Sequence, residues 1–309
     1  MTTSDLIQDY LTYLKDTRNY AQLTITNHKR IIALWSRFIE KEIKTTVTDV
    51  FTDDILSWIT YRRGKKVVCD ASINAELCII RTFYEYLHWY NIIPVNPACA
   101  IPQLVCAPPK EQDYLTIDEC FKLLDVFDRE ELKGLRNYVI VAMFWSTGIR
   151  KSELHSLNGR DVNFDEAYIT IRKGKGGKQR QIFLNDRILQ DLKDYREKWG
   201  INPDAPLFRS VKPGSKCADE NKRLIGSRIE EIIRKSGKKA GIMKAVCPLA
   251  LRHTFATHMY EAGISIADIK EIMGHDDETE TTVYIHVTID AVRSFLHKHI
   301  ANHPCKRRA

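Results

Sequence analysis

Apolar side chains recur every three or four residues through the first hundred positions: Leu6, Tyr10, Leu11 and Leu14, then Ile31, Leu34, Trp35 and Phe38, then Ile79, Phe83 and Leu87. Such spacing lines up side chains on one face of a helix. It predicts four amphipathic helices sharing a core, over residues 4–16, 22–39, 52–63 and 71–90. Arg62-Arg63-Gly64-Lys65-Lys66 falls in the loop before the last of them, a basic turn able to touch phosphates. Pro94, Pro97, Pro102, Pro108 and Pro109 then interrupt everything helical and mark a linker.

A new domain opens at Leu115. Thr116 as N-cap with Glu119 three residues on forms a capping box ahead of a helix from Cys120 to Val126. The apolar run Tyr138–Trp145 predicts a buried helix ended by Gly148. Strand-like segments Tyr168–Ile171 and Gln181–Leu184 flank a glycine-rich turn at Gly174–Gly177, a hairpin with a basic tip. Helices are predicted again over 186–199, 220–240, 250–262, 265–273 and 279–300, with Ser265 as a cap. The fold class is mainly α with a small antiparallel sheet. The expected organisation is a helical domain over 1–100, a proline-rich linker over 101–112, and a second domain over 113–309 ending in a tail helix.

With 44% hydrophobic and 28% charged residues in 309, the chain has the profile of a globular protein. No apolar run reaches the about 18 residues of a membrane span. Met1–Asp5 lacks the basic start and apolar core of a signal peptide, so a cytoplasmic protein without membrane attachment is expected. Eight cysteines without a C-x-x-C pair argue against disulfides or a cysteine-built zinc site. The tail carrying His297, His299, His303 and Cys305 reads as a solvated basic end, so no metal and no cofactor are expected.

Charge distribution narrows the partner. The net +7 is unevenly placed: residues 1–107 hold 12 basic and 11 acidic side chains, whereas Arg172–Arg180 carries five cations and no acid. Arg209–Lys244 carries 11 basic against four acidic residues. Such clusters suit a polyanion, because each neutralised phosphate releases condensed counterions; a merely solvated surface explains the charge alone about equally well.

A nucleotide-binding P-loop is absent, and Lys173–Lys178 lies between two strands rather than opening a helix. Asp276-Asp277-Glu278 reads as a charged helix start rather than a magnesium site. What remains is a series of cations ending in a tyrosine. It runs Thr147-Gly148-Ile149-Arg150-Lys151-Ser152-Glu153-Leu154, Gly174-Lys175-Gly176, Leu251-Arg252-His253-Thr254-Phe255-Ala256-Thr257-His258, Met273-Gly274-His275, and Thr282-Val283-Tyr284-Ile285-His286.

These motifs, in this order, resemble those of the tyrosine recombinase (phage integrase) family, most closely its compact Xer-like members. The nine residues from His275 to Tyr284 and the 25 from Arg150 to Lys175 also fit. The resemblance implies a helical, SAM-like core-binding domain followed by an α+β catalytic domain, the two closing around duplex DNA. It further implies that Tyr284 attacks a scissile phosphodiester, leaving a 3′-phosphotyrosyl link and a free 5′-hydroxyl. Arg150 and Arg252 would clamp the non-bridging oxygens, Lys175 would protonate the leaving oxygen, and His275 would hydrogen-bond the phosphate. Glu153 and His253 are supporting candidates, and Arg62, Arg63, Lys65, Lys66, Lys173, Lys178 and Arg180 are candidate DNA contacts. A tail helix around Ala291–Leu296 implies assembly into a homotetramer on DNA.

Each motif has a plainer reading. Arg150 can simply pair with Glu153 at (i, i+3), Lys175 can be one more solvated lysine with its register open by a residue or two, and Tyr284 is one of 13 tyrosines. One departure is sharp: the family usually writes His, sometimes Lys, three residues before the second arginine, and Leu249 stands there. Leucine can neither accept a proton nor hydrogen-bond a phosphate. The expected function is site-specific recombination of duplex DNA; alternatives are a type IB topoisomerase-like relaxing enzyme and a DNA-binding protein that has lost cleavage. The DNA site, the biological task, and any second recombinase or directionality factor stay open.

Overall fold

A computed structural model of the chain describes residues 2–64, 68–107, 113–172, 179–211 and 218–274, with backbone only at 218–221. Backbone contacts divide the chain into two units, Met1–Lys110 and Glu111–Ala309.

The first unit holds four helices: α1 (Thr3–Asp16), α2 (Gln22–Phe38), α3 (Thr52–Gly64) and α4 (Asp70–Trp89), with one π-helical turn at Ile39–Ile43 after α2. Thr2 and Asp5 close a reciprocal capping box on α1. Of the periodic apolar residues, Tyr10, Leu14, Trp35, Phe83 and Leu87 are fully buried, while Leu34 is half-buried. The polar tip of a buried aromatic usually finds a hydrogen-bond partner. Accordingly Trp35 Nε1 donates to Tyr84 Oη at 3.0 Å, and Tyr10 Oη bonds His28 Nδ1 at 2.7 Å. Arg62 and Arg63 belong to the last turn of α3, not to a loop. Arg62 grips the buried carboxylate of Glu76 through two bonds, 2.8 and 2.5 Å, and Arg63 pairs with Asp70 at 2.9 Å. Lys65 and Lys66 lie outside the described residues.

In the second unit α5 (Ile117–Asp125) begins at the expected capping box, and α6 (Leu132–Thr147) is buried on nearly every side, as its unbroken apolar run demands. After α6 come α7 (Lys151–Ser156) and the short strand β1 (Val162–Asn163). β2 (Tyr168–Ile171) and β3 (Arg180–Phe183) form the predicted hairpin, with Ile169 opposite Ile182 and Ile171 opposite Arg180. Then follow α8 (Asp186–Trp199), β4 (Arg209–Val211), β5 (Ala218–Arg223), α9 (Gly226–Lys239), α10 (Pro248–Glu261) and α11 (Ile266–Met273). The expected helix over 279–300 lies outside the described residues.

Two expectations are corrected here. The helix anticipated from residue 220 begins at Gly226, because β5 pairs with β4 up to Arg223. Arg223 is held there by bonds to the carbonyls of His155 (2.6 Å) and Leu157 (2.8 Å). Arg209, counted among surface cations for phosphate, is 1% exposed; it bonds the Trp199 carbonyl and sits 5.9 Å from that indole ring. No described helix is long and apolar enough to cross a membrane.

Candidate active site

Gly148 ends α6 with φ +60°, a conformation that an L side chain adopts only at a cost. The reversal points the chain directly into Arg150, the N-cap of α7. Glu153, at the third position of α7, is 3% exposed and accepts the Arg150 backbone N–H at 2.9 Å and Arg150 Nη1 at 3.0 Å. The (i, i+3) pair anticipated from spacing therefore exists, and it fixes rather than consumes the arginine: Nη2 remains outside it and donates to the Gly274 carbonyl at 2.6 Å.

A third arginine completes the arrangement. Arg180, the first residue of β3, donates to both Glu153 oxygens, at 2.7 and 2.8 Å. One carboxylate thus accepts four hydrogen bonds from two arginines. Burial alone would raise the Glu153 carboxyl, but the bonds from Arg180 and from the Arg150 backbone outweigh it and hold the acid below its ordinary value.

Arg252 lies in the second turn of α10, 7% exposed. Its guanidinium bonds the Gly148 carbonyl and, at 2.8 Å, the Met273 carbonyl. Burial, with the like charge of Arg150 next in weight, pushes it down to about 10, still cationic at neutral pH. Arg150 and Arg252 therefore meet at one place, between the end of α6 and the end of α11, immediately before His275. His253 is half-buried beside Arg252, about 100° further round the helix. Leu249, one turn before Arg252, is 57% exposed, so the departure from the expected histidine is on the surface and not buried in the core.

The hairpin that carries Lys175 is anchored at both feet. Arg172 Nε donates to the buried Asp161 carboxylate at 2.5 Å, and Arg180 holds Glu153. Arg180 was an expected DNA contact; the structure turns it inward onto Glu153. Lys173, Lys175, Lys178, His275 and Tyr284 lie outside the described residues. The inward role of Arg180 escaped the sequence reading because it closes a run of five cations. Strand alternation held the signal: Arg180 shares a sheet face with buried Ile182.

The half-buried Arg150 and the buried Arg252, turned onto carbonyls at one point, are an arrangement suited to enzymes that handle a phosphodiester with cations. Comparison with known proteins gives the family. Residues 113–290 match the Phage integrase family model, and residues 7–91 match its N-terminal SAM-like domain. The chain belongs to the phage integrase family of tyrosine recombinases, and it is a site-specific recombinase. Tyrosine recombinase XerA of Pyrococcus furiosus is 30% identical over 286 residues, covering 92% of this chain and 90% of that protein. Tyrosine recombinase XerC of Pelobacter propionicus is 29% identical over 288 residues, 92% and 91% of the two chains. The fold is similar to a lambda integrase (75–356) dimer bound to a COC′ core site, with TM-score 0.70 and 18% identity over 92% of this chain and 99% of that one. It is also similar to the Tn1549 transposon integrase in complex with a circular intermediate DNA, with TM-score 0.67 and 18% identity over 94% and 95%. These matches favour recombination over the relaxing and cleavage-deficient alternatives.

Proposed function

We propose that the protein cuts and rejoins duplex DNA at a specific site with Tyr284 as nucleophile and Arg150 and Arg252 as the phosphate clamp. The observation that carries the reading is the convergence of the two arginines on Gly274 and Met273. Both guanidiniums now donate to carbonyl oxygens, and a phosphate's non-bridging oxygens are acceptors for the same donors with negative charge added. On this reading Tyr284 Oη gives up its proton to water and attacks phosphorus, forming the P–O bond to protein as the bond to the 5′-oxygen breaks. Lys175 delivers the proton that oxygen needs, and His275 donates to a non-bridging oxygen. Bond energy is kept in the phosphotyrosyl ester, so the reverse attack by a 5′-hydroxyl needs no ATP.

Lys65, Lys66, Lys173 and Lys178 are proposed backbone contacts, positioning the duplex without reading its sequence. Assembly on DNA is proposed to be a homotetramer in the cytoplasm, coupled through the tail helix around Ala291–Leu296. Deleting residues 291–309 then preserves DNA binding but impairs recombination; unchanged recombination would remove the tetramer proposal. The function itself is tested by mixing two differently labelled duplexes that carry one captured site. Joined products carrying both labels are expected. Supercoil relaxation without joined products would instead support the relaxing enzyme.

A further inference from the structure

Two cations share one carboxylate in this site, and the charge balance has a consequence for Arg150. An isolated Arg150–Glu153 pair is neutral, so a phosphate approaching Arg150 also meets the repulsion of Glu153. With Arg180 on the same carboxylate, at 2.7 and 2.8 Å, the cluster carries a net positive charge. Screening does little to blunt this, because Glu153 is 3% exposed and the Arg180 side chain 18%. Arg180 also packs against the turn that Arg150 holds: a Cβ placed on Gly274 would lie 3.0 Å from its Cζ and Nε. Arg180 thus touches both of Arg150's partners, Glu153 and Gly274.

Resting on the recombinase reading above, we infer that Arg180 is a positioning residue that acts through Glu153 to free the charge of Arg150 for the scissile phosphate. When Arg150 Nη2 leaves the Gly274 carbonyl for a phosphate oxygen, Arg180 keeps Glu153 neutralised and in place. Lysine cannot substitute fully, because one ammonium does not span both carboxylate oxygens as a guanidinium does.

The test is single-turnover formation of the covalent protein–DNA adduct by full-length protein on a nicked duplex carrying the captured site. The duplex is made in two forms, with an ordinary scissile phosphate and with a methylphosphonate there. The methyl group removes the negative charge that Arg150 is argued to meet. Arg180→Gln is expected to slow adduct formation at least tenfold on the phosphate, with DNA affinity within about threefold of wild type. The slowing should shrink to threefold or less on the methylphosphonate, and Arg180→Lys should fall between. In the Arg150→Lys background, adding Arg180→Gln should cost little more, since both act at one point. Equal slowing on both duplexes, or a loss confined to DNA affinity, would overturn the assignment while leaving the recombinase reading intact. Should Arg180→Gln not fold, Arg180→Lys carries the same comparison of the two duplexes. No adduct from wild type on the phosphate duplex would overturn the recombinase reading and this inference with it.

Discussion

Arg150 and Arg252 donate to the carbonyls of consecutive residues, Gly274 and Met273, although they come from helices about 100 residues apart in sequence. Two like charges gather at one point only if something compensates them, and here Glu153 and the carbonyl oxygens do so. On the proposed reading such a site is preorganised: a scissile phosphate would replace acceptors already in place, with little rearrangement of the donors.

Removing either clamp arginine should therefore act on the reaction more than on binding. Arg150→Ala and Arg252→Ala are each expected to slow adduct formation by about 10²–10³-fold, the usual cost of one preorganised donor. Single-turnover rates beside DNA affinity at one salt concentration check this. A loss seen mainly in affinity would argue against it.

Gly148 cannot accept a side chain. At φ +60° the left-handed backbone costs an L residue about 1–2 kcal/mol, and a Cβ would stand 2.5 Å from the Phe255 ring. Gly148→Ala should destabilise the protein by about 2 kcal/mol or more, read as a fall in Tm. It should also lower the cleavage rate, since the Gly148 carbonyl holds Arg252.

The depressed Glu153 carboxyl sets a pH dependence. Its folded value lies below the ordinary 4.5, so its contribution to stability is full above that pH and is lost as the pH falls below 4.5 toward the folded value. Glu153→Gln should flatten the acid side of the stability profile and cost stability at neutral pH. Denaturant unfolding from pH 3 to pH 7 measures both effects; an unchanged slope in the variant would contradict them.

Arg62 belongs to the fold, whereas Lys173 and Lys178 are proposed DNA contacts. Breaking the Arg62–Glu76 pair leaves a nearly buried acid unpaired, so Arg62→Gln should cost about 2 kcal/mol or more with little change in the salt dependence of binding. Lys173→Gln or Lys178→Gln should each reduce the slope of log affinity against log salt by about one, with stability unchanged.

Leu249 should prove a tolerated departure. It is exposed one turn from Arg252, and Arg252 keeps its bonds to the Gly148 and Met273 carbonyls beside it, so Leu249→His is expected to change the cleavage rate by less than about tenfold, short of the 10²–10⁴ that a positioned acid–base group can contribute. A gain of orders of magnitude would mean that the natural protein is crippled.

Elements built from local signals could be read from the sequence alone. The four helices of the first unit follow from apolar spacing, and α5 from Thr116 and Glu119, whose reciprocal bonds measure 3.2 and 2.8 Å. Pairings between distant segments could not. β4 and β5 lie in a charged stretch without alternation, and Arg223 holds β5 by donating to carbonyls at the end of α7, those of His155 and Leu157. The Arg150–Glu153 contact was visible as spacing, whereas its closure by Arg180 depends on where β3 meets α7. The buried place of Arg209 was hidden for the same reason: nothing near it in sequence announces Trp199 as its neighbour.

Covalent capture tests the account most directly. Wild type and Tyr284→Phe would be incubated with nicked fragments of source-genome DNA, denatured, and the DNA still attached to protein sequenced. The account predicts adducts from wild type alone, with shared ends that define the site. Adducts that persist in Tyr284→Phe, or their absence from wild type that binds DNA in a salt-sensitive way, would contradict it.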